Sequence, residues 1–525
     1  MPDAANNAAA LLSLSDRTGL EPLARALAAN GVRLVATTGT AKAVRDLGLE
    51  CEEVGDLTGF PPLLDGRVKT LHPKIMAGVL ADASVPTHMA ELRAHDIKPF
   101  KVVAVTLYPF ERTVAQGGVT ESEALEQIDV GGVTLLRAAA KNYGSVSVLA
   151  DAKSFAQYVE AIERAGPTLE ERRRWAARAF ALCEAYDGAI ARYFTGDAGD
   201  RELPDVLRVI LPLASRLRYG ENPWARAAFY AGGRLALPRQ LSGKTLSYNN
   251  LLDVDSCLRL LAPAEEPRGF PPAARSTATV RAAIVKHTVP CGLAARASAR
   301  DALESALGAD AISAFGGIVA CDAPIDAASA ALLQPRFLEV VAAPSFQPTA
   351  LESLSKKKNL RLLEFDRGLP AQLLSSAKVR SALGGVLVEY PDPTAAPDEW
   401  RVVTERQPAP DQWRDLLFAF GAVRQVKSNA AVVAHGEVTL GVCGGQTNRV
   451  AAVELACQRA GKAARGSMLA TDGFFPFADG IEAAARAGIA AVVAPSGSIR
   501  DQEVIDAARK ADLALVFTSR RYFLH

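Results

Sequence analysis

The chain of 525 residues is 49% hydrophobic and 22% charged, which is typical of a globular protein with room for two to four domains at about 150 residues each. Its 59 Lys and Arg residues balance 58 Asp and Glu residues to a net charge of +1. The chain therefore lacks the basic excess typical of nucleic-acid-binding proteins, and we expect no nucleic-acid partner. The 7 cysteines are scattered and form no C-x-x-C pair, so the sequence supports neither a disulfide framework nor a zinc knuckle.

The apolar runs and the N-terminal residues predict neither a membrane span nor a secretory signal. No uncharged apolar run approaches the roughly 18 residues that a spanning helix needs. The first residues place an acid before any base and lack a basic segment ahead of the short apolar stretch. We therefore expect a cytoplasmic protein without a membrane partner.

The first elements alternate between apolar strands and amphipathic helices. We predict strands at Leu11–Leu14 and Val32–Ala36 and helices at Leu20–Ala29 and Ala41–Leu47, with Asp16 capping the first helix. This order is typical of an α/β fold with a doubly wound parallel sheet, which binds ligands at the carboxyl ends of its strands.

Two segments at that edge are candidates for holding an anion. Residues 37–42, TTGTAK, combine hydroxyl groups, a glycine and a helix N-terminus, as a phosphate site requires, although an ordinary capped turn has the same pattern. The loop 65–73 places Arg67, Lys69 and His72 close together, which suits an anionic ligand or a solvated loop equally.

A second group of candidates surrounds the next predicted strand, Val102–Leu107. Tyr108 follows that strand, so it belongs either to the functional edge or to the core. Asp129 precedes a predicted helix over Val133–Asn142, whose last turn holds Lys141, a position that the helix dipole alone also favours.

The Gly, Asp and Pro residues near 195–212 predict a boundary between a domain of residues 1–200 and one of residues 201–525, the latter split near 385–410. No internal repeat is apparent.

In the second domain a strand at Ala282–Val285 ends in Lys286 and His287, and a turn is predicted to begin at Pro290. Zinc deamination needs H-x-E and P-C-x-x-C, and the ligands are missing around His287 and Cys291.

Ordered strings along nearly the whole chain carry a family resemblance. The strings SDRTGL, LVATTGTAKAVRDLG, DGRVKTLHPKIMAGVL, LYPFERTV and IDVGGVTLLRAAAKN resemble the inosine monophosphate (IMP) cyclohydrolase domain of the bifunctional purine biosynthesis enzymes. The strings LRYGENP, GKTLSYNNLLDVDS, IVKHTVPCG, AISAFGGIVA, KKKNLRLLE, VKSNAAVV, GQTNRV, TDGFFPFADGIE and SGSIRDQEVIDAA are similar to the AICAR transformylase domain of that family. The resemblance implies a methylglyoxal-synthase-like N-terminal domain followed by two cytidine-deaminase-like subdomains without zinc.

For the cyclohydrolase the resemblance implies that the carboxamide nitrogen of formyl-AICAR attacks the formyl carbon and that water leaves, giving IMP. Lys141 and Tyr108 match the acid and oxyanion-stabilising groups, and Asp129 matches the group that positions or deprotonates the amide. Charge from Lys69 and Arg67 assists. The phosphate is expected at Thr37, Gly39, Thr40 and Lys42, and no metal or organic cofactor is implied.

For the transformylase the resemblance implies that the amino group of AICAR attacks the formyl carbon of 10-formyltetrahydrofolate, a cosubstrate, with no tightly bound cofactor. His287 matches the base, Lys286 the oxyanion stabiliser or acid, and Asn429 the group that orients the formyl. The positions matching nucleotide-holding or pocket-lining residues are Arg218, Tyr219, Phe315, Gly316, Gly317, Glu339, Gln446, Arg449, Arg521 and His525. Residues 474–477 and Asp479 are expected near the folate.

Some positions depart from the family pattern, and they keep rival functions open. Thr106, Met76 and Trp224 stand where the family usually has other residues. A nucleotide- or phosphosugar-binding protein that has lost catalysis, or a transformylase with a degenerate cyclohydrolase site, would explain them. The resemblance also implies a homodimer with transformylase sites built across the interface.

Overall fold

The computed structural model describes residues 8–61, 63–195, 203, 206–207, 209–232, 235–391 and 396–525, without the side chain of residue 65. Contacts divide the chain into two compact units, Met1–Glu202 (unit 1) and Leu203–His525 (unit 2). Over the residues that are described, no helix is both long and apolar enough to cross a membrane.

Unit 1 alternates short strands with helices. Its elements are β1 (Ala9–Leu14), α1 (Leu20–Ala29), β2 (Arg33–Ala36), α2 (Thr38–Asp46), β3 (Glu52–Glu53), α3 (Val54–Thr58), α4 (Pro73–Leu80), α5 (Pro86–Ala94), β4 (Phe100–Thr106), α6 (Phe110–Val114), α7 (Glu121–Glu126), α8 (Gly131–Lys141), β5 (Ser147–Leu149), α9 (Ala152–Glu163) and α10 (Leu169–Phe194).

The five strands form a parallel sheet in the order β3-β2-β1-β4-β5, which confirms the predicted α/β fold. The strands β1 and β4 are apolar and almost wholly buried, as expected of a sheet with both faces covered. The strand order reverses between β1 and β4, so their carboxyl ends border a crevice.

The start of α1 corrects one prediction. Asp16 does not cap α1, because the helix begins only after Gly19, whose backbone is left-handed with φ 83°. The Asp16 carboxylate accepts hydrogen bonds from the main-chain N–H (2.9 Å) and the hydroxyl (2.7 Å) of Thr18 instead. Asp16 therefore closes the turn that follows β1.

Unit 2 is built on one large sheet. Its elements are β6 (Leu213–Arg216), β7 (Ala228–Tyr230), β8 (Arg239–Ser242), α11 (Tyr248–Leu261), β9 (Val280–Lys286), β10 (Val289–Arg296), α12 (Ala299–Ala309), β11 (Ile318–Cys321), α13 (Ala327–Leu333), β12 (Val340–Ala343), α14 (Pro348–Ser355), β13 (Arg361–Glu364), α15 (Leu369–Ser375), β14 (Lys378–Ala382), β15 (Gly385–Glu389), β16 (Trp400–Val402), α16 (Pro410–Val423), β17 (Ala431–His435), β18 (Val438–Cys443), α17 (Arg449–Ala460), β19 (Met468–Thr471), α18 (Asp479–Arg486), β20 (Ala491–Pro495), α19 (Asp501–Lys510) and β21 (Ala514–Thr518).

The large sheet contains two copies of one arrangement. Its order is β16-β21-β20-β19-β17-β18-β10-β9-β11-β12-β13-β8. In each copy an antiparallel hairpin, β9–β10 or β17–β18, is followed by one antiparallel and two parallel strands. The hairpins pair with each other through β10 and β18, so the two copies share a sheet. This confirms the two-copy organisation that the family resemblance implies.

The two copies also share close packing of a helix on the hairpin. A Cβ on Gly292 would collide with the carbonyl oxygen of Ala306 in α12, and a Cβ on Gly441 would collide with that of Ala456 in α17. Glycine is therefore required at both positions, because the helix backbone approaches the strand closely.

Candidate active sites

The crevice between β1 and β4 in unit 1 opens into a cavity of about 750 Å³. The two strand ends are tied together there: the main-chain N–H of Asp16 donates to the Thr106 hydroxyl (3.0 Å), which donates back to the Asp16 carbonyl (3.0 Å). Among the predicted site residues, the cavity is lined by Thr37, Gly39, Thr40, Arg67, Lys69, Tyr108 and Asp129.

The N-terminus of α2 forms one wall of this cavity. Thr37 is its N-cap, and within the described chain no side chain caps the first turn. The main-chain N–H groups of that turn can therefore bind an anion. The Thr40 side chain serves another purpose, because it is buried and its hydroxyl accepts a hydrogen bond from the main-chain N–H of Leu14 (3.0 Å).

The predicted role of Lys42 in phosphate binding is not supported. Its side chain is 76% exposed, its ammonium pairs with Asp46 one turn later in α2 (2.8 Å), and it does not line the cavity. Arg17 was not assigned from the sequence, yet it lines the cavity and donates to the Gly39 carbonyl (3.0 Å). The position of Arg17 in the turn that follows β1 was the available signal.

Asp129 lies just before α8, and hydrogen bonds to Gly132 and Tyr186 hold it in place. Its carboxylate accepts a hydrogen bond from the main-chain N–H of Gly132 (2.6 Å). The Tyr186 hydroxyl of α10 accepts from the main-chain N–H of Asp129 (2.9 Å) and donates to the Gln127 carbonyl (2.8 Å). Burial raises the pKa of Asp129, against the lowering effect of the N–H groups of Gly132 and Tyr108 and of the Lys69 charge.

The cations of the loop 65–73 are divided between two partners. Lys69 lies near Asp129, whose carboxylate it stabilises, and its side chain folds over Gly66. Arg67 pairs with Glu126, another lining residue. Burial, with the negative charge of Asp129, raises the pKa of Tyr108. The phenol therefore stays protonated and can donate a hydrogen bond at neutral pH.

Lys141 is not brought to this cavity. It is the last residue of α8 and is exposed, whereas Gly131 at the other end of α8 lines the cavity. At about 1.5 Å per residue, the helix separates the two ends by about 15 Å. The predicted role of Lys141 as acid in the Tyr108–Asp129 site is therefore not supported by the structure.

In unit 2, Lys286 and His287 lie at the end of β9. The Lys286 ammonium donates to the main-chain carbonyl of Phe315 (2.8 Å), and His287 and Thr288 form the exposed hairpin turn to β10. The turn predicted at Pro290 is wrong, because the chain reverses earlier and Pro290 already belongs to β10. Lys286 retains two further N–H bonds for a ligand.

Glu339 forms a polar cluster near this turn. Its carboxylate accepts hydrogen bonds from the buried guanidinium of Arg361 (3.0 Å) and from the Asn250 carboxamide (3.1 Å). The loop that carries Arg218 and Tyr219 is attached to α11, since Asn249 donates to the Glu221 carbonyl (3.2 Å). Asn250 and Arg361 were not assigned from the sequence, although both lie within the strings of the family resemblance.

Residues 315–317, which were predicted to line the nucleotide pocket, lie in the loop between α12 and β11. Phe315 is 64% exposed, and its ring lies 5.0 Å from that of Phe337 between centroids. The main-chain N–H of Gly316 donates to the Phe337 carbonyl (2.8 Å), and the Gly317 carbonyl accepts from Glu339 (3.1 Å). These bonds connect this loop to the Glu339 cluster.

A second cluster of predicted residues precedes β17 and follows β18. The main-chain N–H of Asn429 and its carboxamide both donate to the Gln446 carbonyl (3.0 Å each). Arg449 is buried and pairs with the buried Asp472, and its Nε is among the described buried atoms that lack a hydrogen-bond partner. One nitrogen of the Arg449 guanidinium thus donates both to the Asp472 carboxylate and to the Ala430 carbonyl (2.9 Å).

The C-terminal residues lie against this second cluster. The main-chain N–H of Ser428 donates to the Leu524 carbonyl (2.9 Å), and that of Tyr522 donates to the Asp472 carbonyl (2.9 Å). Arg521 stacks on the Phe523 ring (4.5 Å to the centroid), and the His525 carbonyl accepts from Arg380. Arg521 and His525 are therefore near Asn429 in the fold.

The aromatic residues expected near the folate divide into two groups. Phe475 is buried in the core, whereas Phe477 is 49% exposed and lies under the Arg500 guanidinium (4.8 Å to the centroid). Asp479 begins α18, where its carboxylate accepts from the main-chain N–H of Gly480 (2.7 Å). Across the ranges the structure describes, no group of three His, Cys, Asp or Glu residues is arranged to hold a metal ion.

Two family models match the chain. That of the AICARFT/IMPCHase bienzyme matches residues 139–459, and that of the MGS-like domain matches residues 19–134. The second match confirms the predicted fold type of the N-terminal part. The solved structure of ForH is 34% identical over 36% of this chain and 99% of that chain, with a TM-score of 0.32.

Curated relatives match over nearly their full length. The bifunctional purine biosynthesis protein PurH of Chloroflexus aurantiacus is 47% identical over 98% of this chain and 98% of that protein. The protein of the same name from Desulfitobacterium hafniense is 44% identical over 99% of this chain and 100% of that protein. The chain therefore belongs to the AICARFT/IMPCHase bienzyme family and is a bifunctional enzyme of purine biosynthesis, an AICAR formyltransferase and IMP cyclohydrolase.

Proposed function

We propose that unit 1 closes formyl-AICAR to IMP and that unit 2 transfers the formyl group of 10-formyltetrahydrofolate to AICAR, without a tightly bound cofactor. The observation that carries this division is the presence of a separate lysine-containing polar cluster in each unit. Lys69 accompanies Tyr108 and Asp129 in unit 1, and Lys286 accompanies His287 in unit 2. Each cluster has the charge that a developing oxyanion needs.

In the transfer, the AICAR amino nitrogen attacks the formyl carbon and the folate nitrogen leaves with a proton. His287 accepts the proton of the amine and returns it to the departing folate nitrogen, and Lys286 stabilises the oxyanion of the tetrahedral intermediate. The Phe315 carbonyl supports this role of Lys286, since its hydrogen bond fixes the ammonium (2.8 Å). Asn429 orients the formyl group, and Glu339, Arg218 and Tyr219 hold the nucleotide.

In the cyclisation, the carboxamide nitrogen attacks the formyl carbon, and the formyl oxygen leaves as water with one proton from the carboxamide nitrogen and one from the formamide nitrogen. Asp129 takes the amide proton, for which its raised pKa suits it, because a base works best when its pKa approaches the ambient pH. Lys69 and the protonated Tyr108 stabilise the developing oxyanion, and Arg17 and the α2 N-terminus hold the phosphate.

The assay that tests this proposal follows both products from AICAR and 10-formyltetrahydrofolate. We expect tetrahydrofolate release and IMP formation in equal amounts. Tetrahydrofolate without IMP would mean that the unit 1 site is degenerate, and neither product would favour a nucleotide-binding protein. Either result would contradict the proposal.

Replacing Tyr186 by Phe should lower the cyclohydrolase kcat by about fivefold, because it removes a hydrogen bond worth roughly 1 kcal/mol at the main chain of Asp129. The formyltransferase rate should stay unchanged. Tyr193→Phe is the matched control, since both tyrosine rings pack on Phe110. An equal effect of the two substitutions on cyclisation would contradict a positioning role for Tyr186.

The distance between the two clusters of unit 2 supports a homodimer with shared sites. Lys286 and Asn429 lie at the same sheet edge, but β10 and β18 stand between their strands. With about 4.8 Å between neighbouring strands, three spacings separate them by about 14 Å. We propose that a second copy supplies the cluster of Asn429 to the site of Lys286.

Co-expression of Lys286→Ala and Asn429→Ala chains tests this arrangement. Each variant alone should lack transfer activity, whereas in a mixed dimer one of the two sites receives both unaltered residues. We expect about a quarter of the wild-type activity from the random mixture. A mixture as inactive as its components would show that each site is built within one chain.

A further inference from the structure

The hairpin turn that carries His287 has an unusual backbone. His287 and Thr288 are both left-handed, with φ values of 56° and 61°. This region costs a residue with a Cβ about 1–2 kcal/mol, and a branched residue such as threonine adopts it rarely. Such a conformation persists only where neighbouring groups hold it, and it is often found at functional sites.

The group that holds this turn is the Asp253 carboxylate of α11. One of its oxygens accepts a hydrogen bond from the main-chain N–H of Thr288 (2.6 Å), and the other accepts from that of His287 (3.3 Å). Asp253 is half-buried beneath the turn. Since both N–H groups point at one rigid helix, the carboxylate fixes the orientation of the whole turn.

In the second copy of the fold a carboxylate also holds the hairpin turn, but the turn has no counterpart of His287. Asp415 of α16 accepts hydrogen bonds from the main-chain N–H groups of Gly436 and Glu437 (2.7 Å each), which form the left-handed turn between β17 and β18. Glycine and glutamate stand where the first copy has His287 and Thr288. Asp415 therefore holds a hairpin turn in the same way, but that turn carries no catalytic side chain.

We propose that Asp253 is a positioning residue for formyl transfer, which directs the His287 imidazole toward the amine by holding both N–H groups of its turn. This inference rests on the proposed role of His287 as base. A base must lie within hydrogen-bond reach of its proton, so a shift of about 1 Å at the turn can cost about 100-fold in rate.

The test compares three variants in both activities. Asp253→Ala should lower the transfer kcat by about 100-fold and change the KM for AICAR by less than about threefold, with cyclisation unaffected. Asp253→Asn retains one acceptor oxygen for the turn, so its transfer kcat should be about tenfold higher than that of Asp253→Ala. Asp415→Ala should lower the melting temperature as much as Asp253→Ala does, yet leave the transfer kcat unchanged.

Several results would overturn the inference: a wild-type kcat for Asp253→Ala, a change confined to KM, no recovery with asparagine, or an equal kcat loss for Asp415→Ala. His287→Ala distinguishes this failure from that of the proposed function. If His287→Ala keeps full transfer activity, the proposed role of His287 is wrong. If it loses that activity while Asp253→Ala keeps it, only the positioning role is wrong.

Discussion

Replacing Lys286 by Ala should lower the rate of formyl transfer by about 100- to 1000-fold, because removing one preorganised donor from an oxyanion site costs that much. The Phe315 carbonyl holds the Lys286 ammonium at the end of β9, so the substitution removes a donor that is already positioned. IMP formation from added formyl-AICAR should proceed at the wild-type rate. Tetrahydrofolate release and IMP formation, measured separately on one preparation, provide the readouts.

The control for this substitution is His435→Ala. His435 ends β17 as Lys286 ends β9, and its side chain is 61% exposed at the opposite edge of the sheet. It should leave both activities unchanged. A Lys286→Ala chain that keeps its transfer rate, or that loses both activities together, would contradict the proposed role.

Much of unit 1 was predictable because buried parallel strands are continuous apolar runs. The helix predicted at Leu20–Ala29 has those bounds, and β4 differs from the predicted strand Val102–Leu107 only at its ends. Tyr108 follows from the same reasoning, since the carboxyl ends of β1 and β4 meet where the strand order reverses. The order of the strands themselves needed the structure.

The reach of side chains from helices was not predictable from the motifs. Lys42 and Lys141 lie in strings that match the family, yet one pairs along its own helix and the other ends a helix whose first turn forms the site. A motif identifies a residue and its place in the sequence, whereas the helix geometry determines where its side chain lies.

The internal repeat left no trace in the sequence because its shared features belong mainly to the backbone. The carboxylate precedes its hairpin turn by 34 residues in the first copy and by 21 in the second, so no constant spacing connects Asp253 with Asp415. The glycines beneath α12 and α17 are common to both copies, but a single glycine is too frequent to mark a repeat.

Replacing Asp129 by Asn should lower the cyclohydrolase rate by about 1000-fold, because an amide cannot accept the proton of the carboxamide. Formyl transfer should continue, so formyl-AICAR should accumulate in place of IMP. Burial raises the pKa of Asp129, and only the carboxylate acts as base. The wild-type cyclisation rate should therefore fall, as the pH is lowered, at a higher pH than for an exposed aspartate.

Comparing Lys69→Ala with Lys141→Ala decides which lysine serves the cyclohydrolase. The Lys69 charge lowers the pKa of Asp129, so its removal should raise that pKa and move the acidic limb of the pH profile to higher pH. The same change should lower kcat by about 100-fold through the lost oxyanion stabilisation. Lys141 is exposed at the far end of α8, so Lys141→Ala should change neither the pH profile nor the kcat of cyclisation. A larger loss with Lys141→Ala than with Lys69→Ala would show that another arrangement of the chain, or a second copy, brings Lys141 to the substrate.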